Sequence, residues 1–368
     1  MSGPLKGITI VEFVGIGPGP FCGMILADLG AEIIRIDRSS QHGHGNTIDF
    51  QHRSKLSLSA DLKNPNTVNE IKKLLKNVDG LIEGFRPGVM ERLGLGPEDC
   101  LEVNSNLVYG RMTGWGQDGP LAKTAGHDIN YIALTGALEA MGRKNETPPP
   151  PLNLVGDFGG GGMFLALGIV SALLNIKNGG KGQVVDAAMV DGASVLMSMF
   201  YAFKASGFWQ DERESNMLDG AAHFYDSYEC ADNKFLAVGS IEPQFYSVLL
   251  EKLEISDPKF QDQMNRDKWP ELKAVMTETI KQKTRDEWAN IFDGTDACVA
   301  PILSLSEAPE HHHMKARKSF VEIDGVIQPA PAPRFSDTTT EIQHSSVKAG
   351  QNNDEICEKF DLDRSCFS

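Results

Sequence analysis

Residues 8–36 read ITIVEFVGIGPGPFCGMILADLGAEIIRI, and the reading of this stretch decides the fold. Ile8 to Phe13 is a short apolar, β-branched run, the pattern of a buried strand. The turn Gly15-Ile16-Gly17-Pro18-Gly19-Pro20 breaks it. Phe21 to Leu29 then has a helical pattern that stops at Gly30, and Ala31 to Ile36 is a second strand. Strand, helix, strand is a βαβ unit and predicts a parallel sheet. Downstream, Val68 to Lys76 reads as helix, Gly80 to Glu83 as a third strand and Leu107 to Met112 as a fourth. The glycine-rich turn, with Asp37 beyond it, outlines a dinucleotide fingerprint. Pro20 stands where the last glycine belongs, however, and Arg38 follows the acid. The turn therefore reads as a tight βα connection rather than a cofactor site.

Working outward, two segments carry acid/base chemistry. Thr124 to Tyr131 reads TAGHDINY, and Asn153 to Gly162 reads NLVGDFGGGG. Each sets one titratable group, His127 or Asp157, among glycines, which let the backbone approach a ligand closely. A histidine and a carboxylate on either side of one reacting atom would suit proton transfer. The structural alternative is a core histidine and a helix N-cap aspartate.

Asn145 to Pro151 reads as a rigid surface segment delivering the chain to Asp157. Gly161 to Ile176 and Val184 to Ala205 read as two long helices, the second bearing Met189, Met197 and Met199. Such methionines pack cores and also make adaptable apolar surfaces. A polar linker over 206–219 precedes a hairpin, Phe224 to Tyr228 with Phe235 to Val238, turning at Asp232 to Lys234. Helices are expected at Gln244 to Leu253, Trp269 to Gln282 and Arg285 to Phe292. The tract His311-His312-His313 lacks partners at ligand spacing and reads as an exposed turn, so no metal site is expected. Pro329 to Pro333 is a stiff connector, after which the tail can return to the first domain.

The chain has 368 residues, more than one hydrophobic core usually serves, so two domains are expected. The boundaries read as a large domain over 1–205 with 325–368, a small domain over 220–310, and linkers over 206–219 and 311–324. A formal net charge of -15 argues against a nucleic-acid partner. The first ninety or so residues nonetheless hold Arg35, Arg38, Arg53, Lys55, Lys63, Arg86 and Arg92, where a phosphate-bearing ligand could dock. Six cysteines show no CxxC spacing, which fits a reducing compartment. No run of about eighteen apolar residues stands out, so no membrane span is expected. The N-terminus does not read as a secretory or transit peptide, and the final Ser-Cys-Phe-Ser is not a peroxisomal address of the Ser-Lys-Leu type.

Several motifs together carry a resemblance. They are GIGPGP at 15–20, RIDR at 35–38, ADLK at 60–63, EGFRPGVMERLGL at 83–95 and GRMTGWGQDGP at 110–120. GQVVDAAMVDG at 182–192, NMLDG at 216–220, GSIEPQFY at 239–246 and PAPAPRFS at 329–336 join the two segments above. Over about residues 3 to 340 the chain resembles the α-methylacyl-CoA racemases of the family III CoA-transferase superfamily.

The resemblance implies an α/β fold: a large Rossmann-like domain with a parallel sheet, a smaller α+β domain, and ring-shaped subunits interlocked as a homodimer. It implies an isomerase acting on R- and S-2-methylacyl-CoA thioesters, in fatty acid or bile acid metabolism, in peroxisomes or mitochondria, with no cofactor beyond the CoA of the substrate. His127 and Asp157 match the two catalytic bases and Glu242 the glutamate that supports the histidine. Arg38, Ala60, Asp61, Leu62, Lys63, Gly84, Phe85, Arg86, Arg92, Gly126, Asp128, Ile129, Asn130 and Tyr131 match the CoA-binding positions. Met189, Met197, Met199 and Met217 are then expected to form an acyl-tail surface. An amide near Asp157 is the expected donor to the enolate oxygen. The rival within the superfamily is a CoA-transferase, with Asp157 as nucleophile; His127, and GSIEPQF where transferases tend to carry a glycine-rich loop, weigh against it.

Overall fold

The computed structural model describes residues 2–367. Its first unit is built on six parallel strands: β1 (Thr9–Phe13), β2 (Glu32–Arg38), β3 (Lys55–Ala60), β4 (Gly80–Glu83), β5 (Val108–Thr113) and β6 (Gln183–Ala188). The helices of this part are α1 (Pro18–Asp28), α2 (Pro65–Leu75), α3 (Val89–Arg92), α4 (Pro97–Val103), α5 (Asp128–Leu134), α6 (Met163–Lys177) and α7 (Met189–Leu196). The strand order is β3-β2-β1-β4-β5-β6, so the direction of winding reverses between β1 and β4. That is the doubly wound Rossmann order, and such a reversal opens a crevice at the carboxyl ends of the strands.

Both faces of the sheet are covered, which is why its central strands read as unbroken apolar runs. Side chains alternate across the pleat. Ile10, Ile33 and Ile82 pack with Cys22 and Leu26 of α1 and Leu165 and Ile169 of α6. Val11, Ile34 and Leu81 pack on the other face with Ile71 and Leu74 of α2 and Cys100 of α4. Each such side chain, wholly withdrawn from water, contributes roughly 1.5–3 kcal/mol.

Two strands of the six-stranded sheet, β3 and β6, are not among the expected ones. In KLSLSA (β3) the lysine is wholly buried: Lys55 Nζ donates to both Glu12 oxygens at 2.9 and 2.7 Å and to the Pro20 carbonyl at 2.9 Å. Gly23 of α1 makes room for this pair, since an added Cβ would stand 1.7 Å from Glu12 Oε2. The expected helix over 184–205 is divided. Val184 and Val185 pair with β5 as an edge strand, followed by α7 and α8 (Ser198–Ala205). Helix α1 starts at Pro18, inside the supposed turn, because proline in a first helical turn forfeits no hydrogen bond. Residues Leu154–Gly162 form a π-helical stretch, so the helix expected from Gly161 begins earlier. The stretch runs into α6 as one 24-residue apolar helix, long enough to cross a membrane by length and composition. Here it packs against α1, β5 and β6.

The second unit holds Gly136–Pro149 and Ser198–His311. Residues 136–149 and 198–205 thus belong to it rather than to the large domain of the sequence reading. Strands β7 (Tyr225–Glu229), β8 (Phe235–Gly239) and β9 (Val299–Pro301) form an antiparallel sheet with α9 (Pro243–Lys252), α10 (Trp269–Ile280) and α11 (Arg285–Phe292). Phe224, Trp269, Leu272, Met276 and Trp288 make its core. Asn233 takes the left-handed conformation the hairpin turn requires, φ 57°. Arg143 clamps Asp226 at 2.9 and 2.8 Å.

The tail rejoins the first unit with α12 (His312–Ala316), a hairpin of β10 (Phe320–Ile323) and β11 (Val326–Pro329), and α13 (Asn353–Phe360). An edge strand exposes unpaired amides, and the tail supplies their partners. The Ser57 amide of β3 donates to Asn352 Oδ1 at 3.1 Å and the Ser59 amide to Asn353 Oδ1 at 2.9 Å. His312 and His313 open α12, with His311 just before it, and among the described residues no metal-ligating cluster occurs.

Candidate active site

The carboxyl ends of β1, β4 and β5 surround a cleft of about 710 Å³ at the reversal point. Gly15 to Pro20 form one wall, Gly84 to Arg86 and Met112 to Trp115 another. His127, Tyr131, Asn153, Asp157 and Met189 complete the lining. The two groups singled out in the sequence, about thirty residues apart in the chain, therefore share one cavity.

His127 is exposed at the N-cap of α5, with extended backbone at φ -133° and ψ 173°. Its amide donates to Asn130 Oδ1 at 3.0 Å. Tyr131 braces this wall: its hydroxyl donates to the Gly126 carbonyl and its ring meets Trp115 edge-on at 4.8 Å.

Asp157 is more enclosed. Its π-helical stretch is pressed between α1 and α7, and glycines permit the approach. A Cβ at Gly160 would stand 2.6 Å from the Ala193 amide nitrogen, and one at Gly162 2.7 Å from the Phe21 ring. Gly17, at φ 70°, backs the carboxylate so closely that a Cβ there would stand 3.3 Å from Oδ2. Asn153 Nδ2 donates to Oδ2 at 3.4 Å. Burial raises the Asp157 carboxyl above the ordinary aspartate range. The nearby Asp128 charge adds to this, while the Asn153 hydrogen bond and His127 oppose it. Asp157 thus holds a proton to higher pH than a surface aspartate does.

The amides nearest Asp157 are already committed. Those of Gly156 and Asp157 donate to Asp128 Oδ2 at 2.6 and 2.8 Å, and that of Phe158 to the Asn153 carbonyl at 3.2 Å. None of these three amides is open to an enolate oxygen.

The basic N-terminal group divides in two. Arg35 pairs with Asp37 at 2.7 Å, Arg53 pairs with Asp28, and Lys55 pairs with Glu12, all buried. Asp37 also accepts from Ser57 Oγ and is not available as a ribose acceptor. Arg38, Lys63, Arg86 and Arg92 are exposed, and none is in an ion pair among the described residues. Arg38 borders the main cleft and a second one of about 460 Å³ lined by Ala60, Asp61, Leu62, Lys63 and Phe85. Arg86 lines the main cleft, while Arg92 lies on α3 beyond it.

A model of CoA-transferase family III matches residues 5–353. The chain belongs to that family. It is 47% identical over 329 residues to a mouse protein named alpha-methylacyl-CoA racemase, covering 89% of this chain and 85% of that one. It is 44% identical over 362 residues to the human protein of the same name, covering 98% and 94%. A CAIB/BAIF family protein from Brucella suis shares the fold with TM-score 0.82 and 25% identity, covering 98% of this chain and 100% of that one.

In this family III chain the cleft also rests on residues the sequence reading passed over. Glu83, buried at the end of β4, accepts from the Phe85 amide and from Arg111 Nε, both at 2.8 Å, and Arg111 reaches Glu91 at 2.9 Å. The three hold the Gly84–Arg86 loop, and burial pushes the Glu83 carboxyl up to about 6. Glu83, Glu91 and Arg111 stand inside the motifs EGFRPGVMERLGL and GRMTGWGQDGP, but nothing in their spacing assigns them to one network. Asn153 and Gly17 were visible in the motifs, but nothing in their spacing gave them a role beside Asp157.

Of the four methionines, Met189 and Met197 belong to the first unit and Met199 and Met217 to the second. Met189 is buried in the cleft wall, and Met197 is half-buried at the end of α7. Met199 is exposed on α8, and Met217 packs against the core of the second unit. Ile129 and Asn130 are exposed on α5, whereas the Asp128 side chain is turned into the protein, so any ligand contact it makes is through its backbone. Glu242 is exposed at the N-cap of α9 in the second unit, where its charge acts on Cys298.

Proposed function

We propose that this chain interconverts R- and S-2-methylacyl-CoA thioesters by moving one proton off, and another onto, the carbon beside the thioester carbonyl. The observation that carries the reading is the convergence of His127 and a proton-retaining Asp157 on a single cleft. The 44–47% identity to proteins named as racemases supports it.

A thioester acidifies its α-carbon because the carbanion delocalises onto oxygen. Inversion needs a base on one face and an acid on the other. His127 takes the proton of the S epimer while neutral, and protonated Asp157 delivers one to the opposite face. In the other direction ionised Asp157 is the base and the imidazolium the acid. The raised Asp157 pKa serves this exchange, since a carboxyl of ordinary acidity would seldom hold a proton to give. The exposed, unpaired Arg38, Lys63 and Arg86 suit the phosphates of CoA. Met189 and the rim residue Ile16, 84% exposed, offer apolar surface to the acyl chain. Proton transfer of this kind asks for no redox group.

The reading includes a homodimer in which Glu242 of one subunit supports His127 of the other, in peroxisomes or mitochondria. The outer face of α6 supports a protein partner: Met163, Leu167 and Leu174 follow helical spacing and are 49%, 64% and 58% exposed, beside Val184 on the β6 edge.

The deciding experiment follows a single 2-methylacyl-CoA epimer in deuterated water. Optical inversion accompanied by α-deuterium uptake is expected. An Asp157 acyl anhydride or CoA thioester trapped by hydroxylamine, with no α-exchange, would show the transferase chemistry instead.

A further inference from the structure

We propose that Asp128 is a positioning residue: its carboxylate ties the backbone of Gly156 and Asp157 to the residue beside His127 and so sets the span between the two bases. The inference rests on the racemase reading and extends it to a residue that does not touch the substrate with its side chain.

Asp128 is 5% exposed. One oxygen, Oδ2, accepts two successive amides, Gly156 at 2.6 Å and Asp157 at 2.8 Å. The other, Oδ1, is buried with no hydrogen-bond partner among the described residues. Asp128 is joined by a peptide bond to His127, and its carboxylate is joined by a hydrogen bond to the amide of Asp157 itself. One short side chain therefore spans the two walls of the cleft. Gly156 is part of the device, because a Cβ there would stand 2.7 Å from Asp128 Oδ2. A serine or alanine at 156 would push the strut away.

The strut also carries charge. The Asp128 charge adds to burial in raising Asp157. The other titratable groups that act with Asp157 are His127, which opposes the shift, and the Tyr131 hydroxyl. The residues of α1 that face it, from Gly17 to Phe21, bring no charge. On α7, Asp191 is exposed and acts on Asp186 instead. Position and proton poise thus depend on the same side chain.

Two substitutions separate them. Asp128→Ala removes acceptor and charge, whereas Asp128→Asn keeps an acceptor oxygen at the same reach without the charge. In Asp128→Ala we expect kcat to fall roughly 100-fold or more with KM within about threefold, the cost of a misplacement of about 1 Å. Hydrogen exchange by mass spectrometry is expected to show the amides of 154–158 losing protection. In Asp128→Asn that protection is kept and kcat lies within about tenfold of the parent, while the limb of the kcat–pH profile due to Asp157 moves to lower pH, since a raising charge is gone.

Unchanged protection in the Ala variant overturns the proposal. So does a loss that appears in KM rather than kcat, or an Asn variant as slow as the Ala variant. If Asp128→Ala does not fold, the Asn variant decides by its pH limb, and an unshifted limb is fatal. The exchange readout needs no activity. A parent protein that neither inverts nor deuterates its substrate, but loses protection on Asp128→Ala, therefore counts against the racemase reading alone.

Discussion

The two walls of the cleft are built in opposite ways. Asp157 sits on a stretch pressed between two helices, reached only because Gly160, Gly161 and Gly162 have no side chains. His127 stands exposed at the start of the seven-residue α5. The Asp157 wall buys a perturbed carboxyl with close packing. The His127 wall spends little on packing and leaves its imidazole open to a partner. Partial desolvation lets the Asp157 carboxyl keep its proton above the ordinary aspartate range, whereas the His127 imidazole stands open to a ligand. The asymmetry of the walls follows the asymmetry of the two groups.

The largest effect should come from removing either base. Asp157→Ala and His127→Ala are each expected to lower kcat on the order of 1,000-fold, with acyl-CoA affinity, measured by calorimetry, within about tenfold of the parent. Full turnover in either variant would remove the two-base reading. Next in size is the packing of the Asp157 wall. Gly160→Ala drives a methyl group against the α7 backbone and should cost about 1–3 kcal/mol in urea unfolding. It should also reduce turnover by displacing Asp157. Ile129→Ala on the exposed His127 wall should change stability by no more than about 0.5 kcal/mol. Equal losses in the two variants would erase the contrast.

A smaller effect separates the two kinds of cation. Arg38→Gln should raise KM for acyl-CoA about tenfold, by loss of a charge-assisted phosphate contact, with little change in kcat. Arg53→Ala should leave KM alone and lower stability by about 3–5 kcal/mol, because it strands Asp28 in a buried site. The smallest effect concerns pH. The folded-state pKa of Asp157 is raised, so the stability it contributes is complete below the ordinary aspartate value and is lost as pH rises through the raised one. Asp157→Asn abolishes that loss, and its Tm relative to the parent should be higher at about pH 7 than at about pH 4. A constant difference would place Asp157 at an ordinary pKa.

The βαβ opening, the second α+β unit with its hairpin and helices, and the two segments that meet in the cleft are all legible in the order of residues. Those features depend on local pattern: apolar runs of strand length, glycine and proline punctuation, and titratable groups set among glycines. The family motifs added which chemistry to expect there. Which cations are free depends on the folded chain, because Arg35 and Arg53 look no different from Arg38 until Asp37 and Asp28 are placed beside them. Only there are the amides of Gly156 and Asp157 spent on Asp128, and only there is Lys55 interior. The physical reason is common to all of these. Burial and pairing arise from contacts between residues far apart in the chain, and a periodic pattern records only which way a side chain points, not what it meets.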